Sequence, residues 1–433
     1  MINVPGHRRL RRLPKLIMVM IAVLVLAGCT FGGAQAQQGP ITLTILSHYG
    51  SDPSKSGLQT MLDQWNADHD DIKVRSEVVN FTDLLTTLNV RQTGGRGADI
   101  VSAYGLWGGN LARSGVLATP PAAVADDIKH NYNPAARGAV TGPDGKIYGY
   151  PTELNTYVLF YNKKIFRQNG ITKPPRTWAE LKSVAAKVAR TDKSGNSTVE
   201  GISLMQDGDN ESVHPYLSLL DSAGGRFLGP NGRAAFDNKT GESALQLEDD
   251  LVRDGLSHPD IDPTSQFPTG RVAMAIQAGW WLGSLKSQMG DDYADVGTAP
   301  IPGPTPGSHG SLAYGFFMGV NARSRHQAAS WKFLQWLNSH RTKDGITGMD
   351  AMMTGMGELP TRTDDAKKLS ADLPDANLGP VYDAIDYAMA EPSVDGAYQA
   401  KTDLHTQLMT TLVNGTPPQQ TLAAAADQIN LRE

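Results

Sequence analysis

The sequence predicts an α/β protein built on a mostly parallel sheet wrapped by helices, and three observations carry that prediction. Between residues 41 and 103, apolar alternation at period two gives way to helical periodicity, and the pair of patterns repeats. The chain has 433 residues, which allows two or three folding units with ample core. Its composition, 40% hydrophobic and 19% charged, is that of a globular chain and excludes disordered, collagen-like and multispan membrane classes.

The amino-terminal segment stands outside the fold. Arg8, Arg9, Arg11, Arg12 and Lys15 precede an apolar run from Leu16 to Ala27, too short for the ~20 residues of a permanent membrane helix. Cations followed by a short greasy stretch and small residues form the layout of a secretory signal peptide, here residues 1–28. Cys29, the only cysteine, follows Leu26-Ala27-Gly28 and resembles the cysteine of a bacterial lipobox, which implies a lipid anchor. Ala34-Gln35-Ala36 offers a second cleavage point that would release the chain instead. One cysteine cannot form an internal disulfide, so stability must come from packing. Residues 29–40, rich in Gly, Ala and Gln, read as a tether. Without residues 1–28 the chain carries 34 basic and 44 acidic side chains, a net −10, which disfavours nucleic acid as a partner.

Folding starts at Ile41. Ile41, Leu43 and Ile45 alternate as a strand, and Leu58, Met61, Leu62 and Trp65 then fall on one helical face. Ile72, Val74 and Val78 predict a second strand, Leu84, Leu85 and Leu88 a second helix, and Ala98 to Ala103 a third strand. In open sheets of this kind ligands bind where loops leave the carboxyl ends of strands. Those loops hold His48, Tyr49 and Asp52 after the first strand, and Tyr104, Leu106 and Trp107 among glycines after the third. Aromatics so placed serve either as plugs beneath a loop or as an exposed stacking surface.

The turn Pro143-Asp144-Gly145 introduces the run Lys146 to Lys163, which includes Tyr150-Pro151-Thr152-Glu153-Leu154-Asn155-Thr156-Tyr157. This run is similar to the first hinge crossover of the extracellular solute-binding proteins of carbohydrate importers, the maltose-binding type. Thr177-Trp178-Ala179-Glu180-Leu181 resembles the family's helix start after the hinge, and is independently a capping box. Gly270 to Ile276 leading to Gly279-Trp280 resembles its second-lobe tryptophan motif; Val296 to Pro304, Tyr314 to Asn321 and the helix containing Trp331, Phe333 and Leu337 follow in the same order. The resemblance spans roughly residues 41–430.

It implies a two-lobed periplasmic-binding-protein fold of type II, with mixed sheets flanked by helices and crossovers near 151–156 and 310–316. Residues 41–151 with about 312–355 would form one lobe, and 152–311 with about 356–433 the other. Gly307, Gly310 and Gly315 bracket the second crossing, where glycine lets a hinge absorb rotation. By the same resemblance Trp280 stacks on a sugar, with Trp281 as its rival, and Asn155 and Glu153 are hinge contacts for hydroxyls. Asp52, Tyr49, Tyr104 and Trp107 supply first-lobe contacts. Asp83, His214, Tyr314 and Met356 complete the candidate set. For Asp83 a helix-terminal charge, and for His214 a structural histidine, are the competing readings.

A pyranose has apolar faces and a rim of hydroxyls, so a receptor needs aromatic planes and short polar side chains drawn from both lobes. The expected function is therefore capture of a neutral or amino sugar for an ABC importer's permease, without catalysis, cofactor or metal, by a monomer tethered outside the cytoplasm. The rivals are a secreted glycoside hydrolase and a receptor for a glycerophosphodiester. No Gly-x-Ser-x-Gly, His-Glu-x-x-His or P-loop pattern occurs. Asp207, Asp209 and Glu211 lack a full calcium-loop pattern and read as a solvated loop.

Overall fold

Residues 39–432 are described by this computed structural model, apart from residues 51, 53, 96, 143, 205–212, 230, 393 and 395. Cys29, the signal segment, and the Asp207, Asp209, Glu211 loop therefore lie outside the described residues. From Ile41 onward the chain forms one compact unit.

The alternation at the start becomes β1 (Ile41–Ser47), and the helical face becomes α1 (Ser54–Asp68), which buries Leu58, Met61, Leu62 and Trp65. Next come β2 (Ile72–Val78), α2 (Phe81–Thr93) and β3 (Ile100–Tyr104). The remaining strands are β4 (Gly149–Asn162), β5 (Arg190–Thr191), β6 (Ser197–Val199), β7 (Met274–Ala278), β8 (Val296–Ala299), β9 (Ile301–Pro302), β10 (His309–Gly310), β11 (Leu312–Val320) and β12 (Met389–Ala390). Capping chemistry places at least one helix as the sequence predicts: Thr177 Oγ1 accepts from the Glu180 amide at 3.1 Å. The Glu180 carboxylate reaches back to the Arg176 amide at 2.7 Å rather than to that of Thr177.

Among the described residues the main sheet has eight strands in the path β2-β1-β3-β11-β4-β7, with β12 on β11 and β8 on β4. It is mixed rather than mostly parallel. β1 runs parallel to β2 and β3, whereas β11 is antiparallel to both β3 and β4. The first half of β4 pairs with β11, and Tyr157–Asn162 pairs with β7 and β8, so one long strand links the β2-β1-β3-β11 side of the sheet to β7 and β8.

Buried on both faces, β11 reads Leu-Ala-Tyr-Gly-Phe-Phe-Met-Gly-Val without polar interruption. Gly307 adopts φ +87°, but it does so in the turn that joins β9 to the antiparallel β10. Gly310 and Gly315 are required for a different reason: a Cβ on Gly310 would meet the Ser222 backbone nitrogen at 2.1 Å, and one on Gly315 the Glu153 carbonyl at 2.8 Å. They are contact points between packed segments, not swivels.

Candidate functional site

The antiparallel register of β4 and β11 sets Asn155 opposite Tyr314 and Glu153 opposite Phe316. Side chains two apart share a strand face, so these four form one cross-strand patch. The patch floors a cavity of about 380 Å³, within the usual range of small-molecule sites. One wall comes from the carboxyl end of β1 and the start of α2: His48, Tyr49, Asp52, Asn80, Phe81 and Thr82. The opposite wall is Trp280, Ser284, Met356 and Glu358.

Local backbone chemistry explains how the second wall is built. The helix Trp281–Met289 follows β7, and the loop after the helix Gly348–Thr354 lies across its first turn. Gly357 sits at φ +90°, and a Cβ on Gly283 would strike the Met356 carbonyl at 2.5 Å, so the two segments touch backbone to backbone. The Leu359 amide donates to the Leu154 carbonyl at 3.0 Å, which ties this loop to β4 and sets Glu358 beside Glu153.

Glu153 and Glu358 are both buried, line the same cavity with Asn155, and lie close enough for the charge of Glu153 to act on Glu358. Burial raises Glu153 from 4.5 to about 7. Burial, followed by the charge of Glu153, holds Glu358 well above the ordinary range, so at neutral pH the pair retains a proton. Among the described residues, Glu153 Oε2, Glu358 Oε2 and Asn155 Oδ1 have no hydrogen-bond partner. His48 Nε2 lies 3.8 Å from Glu153 Oε1, yet burial lowers its pKa to about 4 and leaves the ring neutral near pH 7. The Tyr49 hydroxyl donates to Thr152 Oγ1 at 3.4 Å.

The structure brings Tyr49, Asp52, Glu153, Asn155, Trp280, Tyr314 and Met356 to the cavity and leaves the other candidates elsewhere. Trp281 is wholly buried between Phe160 and Phe267, with ring centroids 4.9 and 5.1 Å away, so of the two tryptophans only Trp280 faces the cavity. Trp107 stacks behind Phe81 at 5.5 Å, and Tyr104 meets Trp107 edge-on at 5.7 Å; both back the wall instead of forming it. His214 is buried beneath Tyr314 at 5.2 Å and bonds to the Tyr157 hydroxyl at 2.6 Å. It belongs to a closed polar cluster in which Lys401 Nζ reaches Tyr104 Oη at 2.8 Å and Glu391 Oε1 at 3.0 Å. Asp83 lies in the first turn of α2 and lines a separate open groove with Val78 and Thr87. Asp52 sits exposed at the mouth and accepts from the Ser56 amide at 3.1 Å, at the entry to α1.

The candidate set lacks several cavity residues, among them His48, Asn80, Phe81, Ser284, Phe316 and Glu358. Phe316 was within reach, two positions from Tyr314 on a strand, and Phe81 follows the carboxyl end of β2. Glu358 lies in the loop Met352 to Arg362, which resembles the loop at the family's cleft rim, but its setting beside Glu153 depends on the bridge to Leu154.

Comparison with known proteins gives concordant findings. Residues 49–344 match the family model described as bacterial extracellular solute-binding protein. The arabinooligosaccharide-binding protein of Bacillus subtilis is 23% identical over 366 residues, covering 81% of this chain and 80% of that protein. Among solved structures, the GacH receptor of Streptomyces glaucescens, determined with acarbose, superposes with a TM-score of 0.78 at 22% identity, covering 91% of this chain and 98% of that one. The cyclic α-maltosyl-1,6-maltose binding protein of Arthrobacter globiformis gives 0.72 at 25% identity, covering 91% and 99%.

Proposed function

The chain belongs to the bacterial extracellular solute-binding protein family, and from that premise we propose that it is the carbohydrate receptor of an ABC importer. One observation carries the reading: a cavity bounded by the loops after β1 and β2 and by the segments at Trp280–Ser284 and Met356–Glu358, and floored by β4 and β11, is lined by aromatic side chains beside short polar groups. Aromatic planes suit the C–H faces of a pyranose, and Asn80, Thr82, Asn155, Ser284 and the carboxyls suit its hydroxyls. The sugars named for the arabinooligosaccharide, acarbose and cyclic maltosyl-maltose binders support the same ligand class.

Residues 41–151 with 312–355 serve as one lobe and 152–311 with 356–433 as the other, and ligand bound between them favours the closed arrangement that the permease reads. Cys29 carries the lipid that holds the monomer outside the cytoplasm. The protein binds and does not cleave. A glycoside hydrolase needs one carboxyl ionised and the other protonated on either side of a scissile bond, whereas burial raises both Glu153 and Glu358 and leaves neither as a ready base. A phosphodiester receptor would want cations, and among the described residues no Lys or Arg lines the cavity.

A thermal-shift screen of mono- and oligosaccharides on the chain lacking its signal segment tests this, because a ligand that binds only the folded state raises its melting temperature. Saturable stabilisation by a sugar that is recovered intact supports the reading. Cleavage of the sugar, or no response from a cooperatively folded protein to any member of a broad panel, refutes it.

A further inference from the structure

The ionisable side chains on the cavity surface are acidic or neutral at pH 7. Asp52 stands at the mouth, Glu153 at the floor with Glu358 in the wall beside it, His48 is uncharged, and burial keeps the proton on Tyr49. Three buried oxygens there, Glu153 Oε2, Glu358 Oε2 and Asn155 Oδ1, are acceptors without donors among the described residues. An unpaired buried acceptor is costly, and three on residues of one cavity describe what a well-matched ligand brings: several N–H or O–H donors.

We propose that the cavity selects sugars bearing a protonated amine, with the ammonium group seated between Glu153, Glu358 and Asn155. This rests on the carbohydrate reading above and narrows it. A hydroxyl donates one hydrogen bond and leaves two carboxyls crowded together. An ammonium donates three and supplies the positive charge that lets both carboxyls ionise side by side. The surrounding faces of Tyr49, Phe81, Trp280, Tyr314 and Phe316 add the aromatic environment that attracts a cation. The absence of Lys and Arg among the described lining residues removes the competing partner that would otherwise neutralise the pair internally.

The test compares matched sugars that differ only by amine for hydroxyl: glucosamine with glucose, galactosamine with galactose, 6-amino-6-deoxyglucose with glucose, and the β-1,4 glucosamine dimer with cellobiose. Affinities are measured by calorimetry at pH 7 on the wild-type chain, so the comparison stands whether or not any variant folds. In at least one pair the amine should bind about 10- to 100-fold more tightly, the scale of one charge-assisted hydrogen-bond set. In Glu358→Gln that ratio should fall toward one. Equal affinities within every pair, or a preference for the hydroxyl, would overturn the inference and leave the sugar receptor standing. Silence from all amines and all neutral sugars on folded protein would overturn both.

Discussion

Replacing Glu358 by Gln should stabilise the ligand-free protein at and above neutral pH. Glutamine has the shape of the protonated side chain, so the cavity wall is kept while the carboxyl neighbour of Glu153 is removed. In the wild type, burial moves Glu153 from 4.5 to about 7, which at ~1.4 kcal/mol per pH unit costs about 3 kcal/mol once the group is ionised. The sign follows from the direction. An acid whose folded-state pKa is raised weighs nothing below its unfolded value near 4.5, destabilises increasingly as pH climbs from there, and levels off once pH passes its folded-state value. Glu358, held well above its ordinary range by burial and then by the charge of Glu153, carries such a penalty of its own, and Glu358→Gln removes it while the buried Glu153 keeps its own. Urea denaturation at pH 5 and pH 8 should therefore show the two proteins similar at the lower pH and the variant ahead by roughly 1–3 kcal/mol at the higher. Parallel curves across that interval would refute the idea that the two carboxyls hold a common proton.

Other substitutions separate wall from core. Trp280→Ala should weaken sugar binding about tenfold, as expected for an aromatic face that loses ~1–2 kcal/mol of contact, with little change in melting temperature; Trp281→Ala should cost roughly 3–5 kcal/mol of stability through the cavity it leaves between Phe160 and Phe267, and calorimetry with denaturation tells the two apart. Lys401→Met strands the buried Glu391 carboxylate and should cost about 3–5 kcal/mol at pH 7 by denaturation. Glu391 is held down at about 2, chiefly by Lys401 against the opposing effect of burial, so the wild type should lose this contribution as pH falls from about 4.5 toward 2, and the variant should have less to lose. Thr177→Ala removes the cap on the helix Trp178–Val188 and should cost about 1 kcal/mol, read from the denaturation midpoint.

Local physics was legible in the chain wherever it acts alone. The alternation at Ile41, Leu43 and Ile45, the helical face at Leu58 to Trp65 and the Thr177 cap all depend on neighbours within a turn or two, and they stand where the periodicity put them. Glu153 and Asn155 on one strand face were readable for the same reason. Which aromatic fronts the cavity was not, because Phe81 comes between it and Trp107 only once α2 docks beside β3. Nor was the partner of Glu153, which sits some two hundred positions later and arrives through a single backbone bond from Leu359 to Leu154. His214 has the composition of a binding residue, yet the acids and cation around it come from segments near residues 391 and 401 that no short window includes.

In the proposed clamp β4 runs through both halves, so Glu153 and Asn155 would stand at a fulcrum. A group at a pivot travels least when the arms swing, so whatever it grips is gripped before and after the swing alike. Such contacts set how tightly a guest is held but exert little leverage on the arms themselves. Torque must come from the distant rims, from Phe81 and Asn80 on one side reaching toward Trp280 and Ser284 on the other. A guest too short to span those rims would be retained without pulling the halves together, and tight retention would then be no guarantee of delivery.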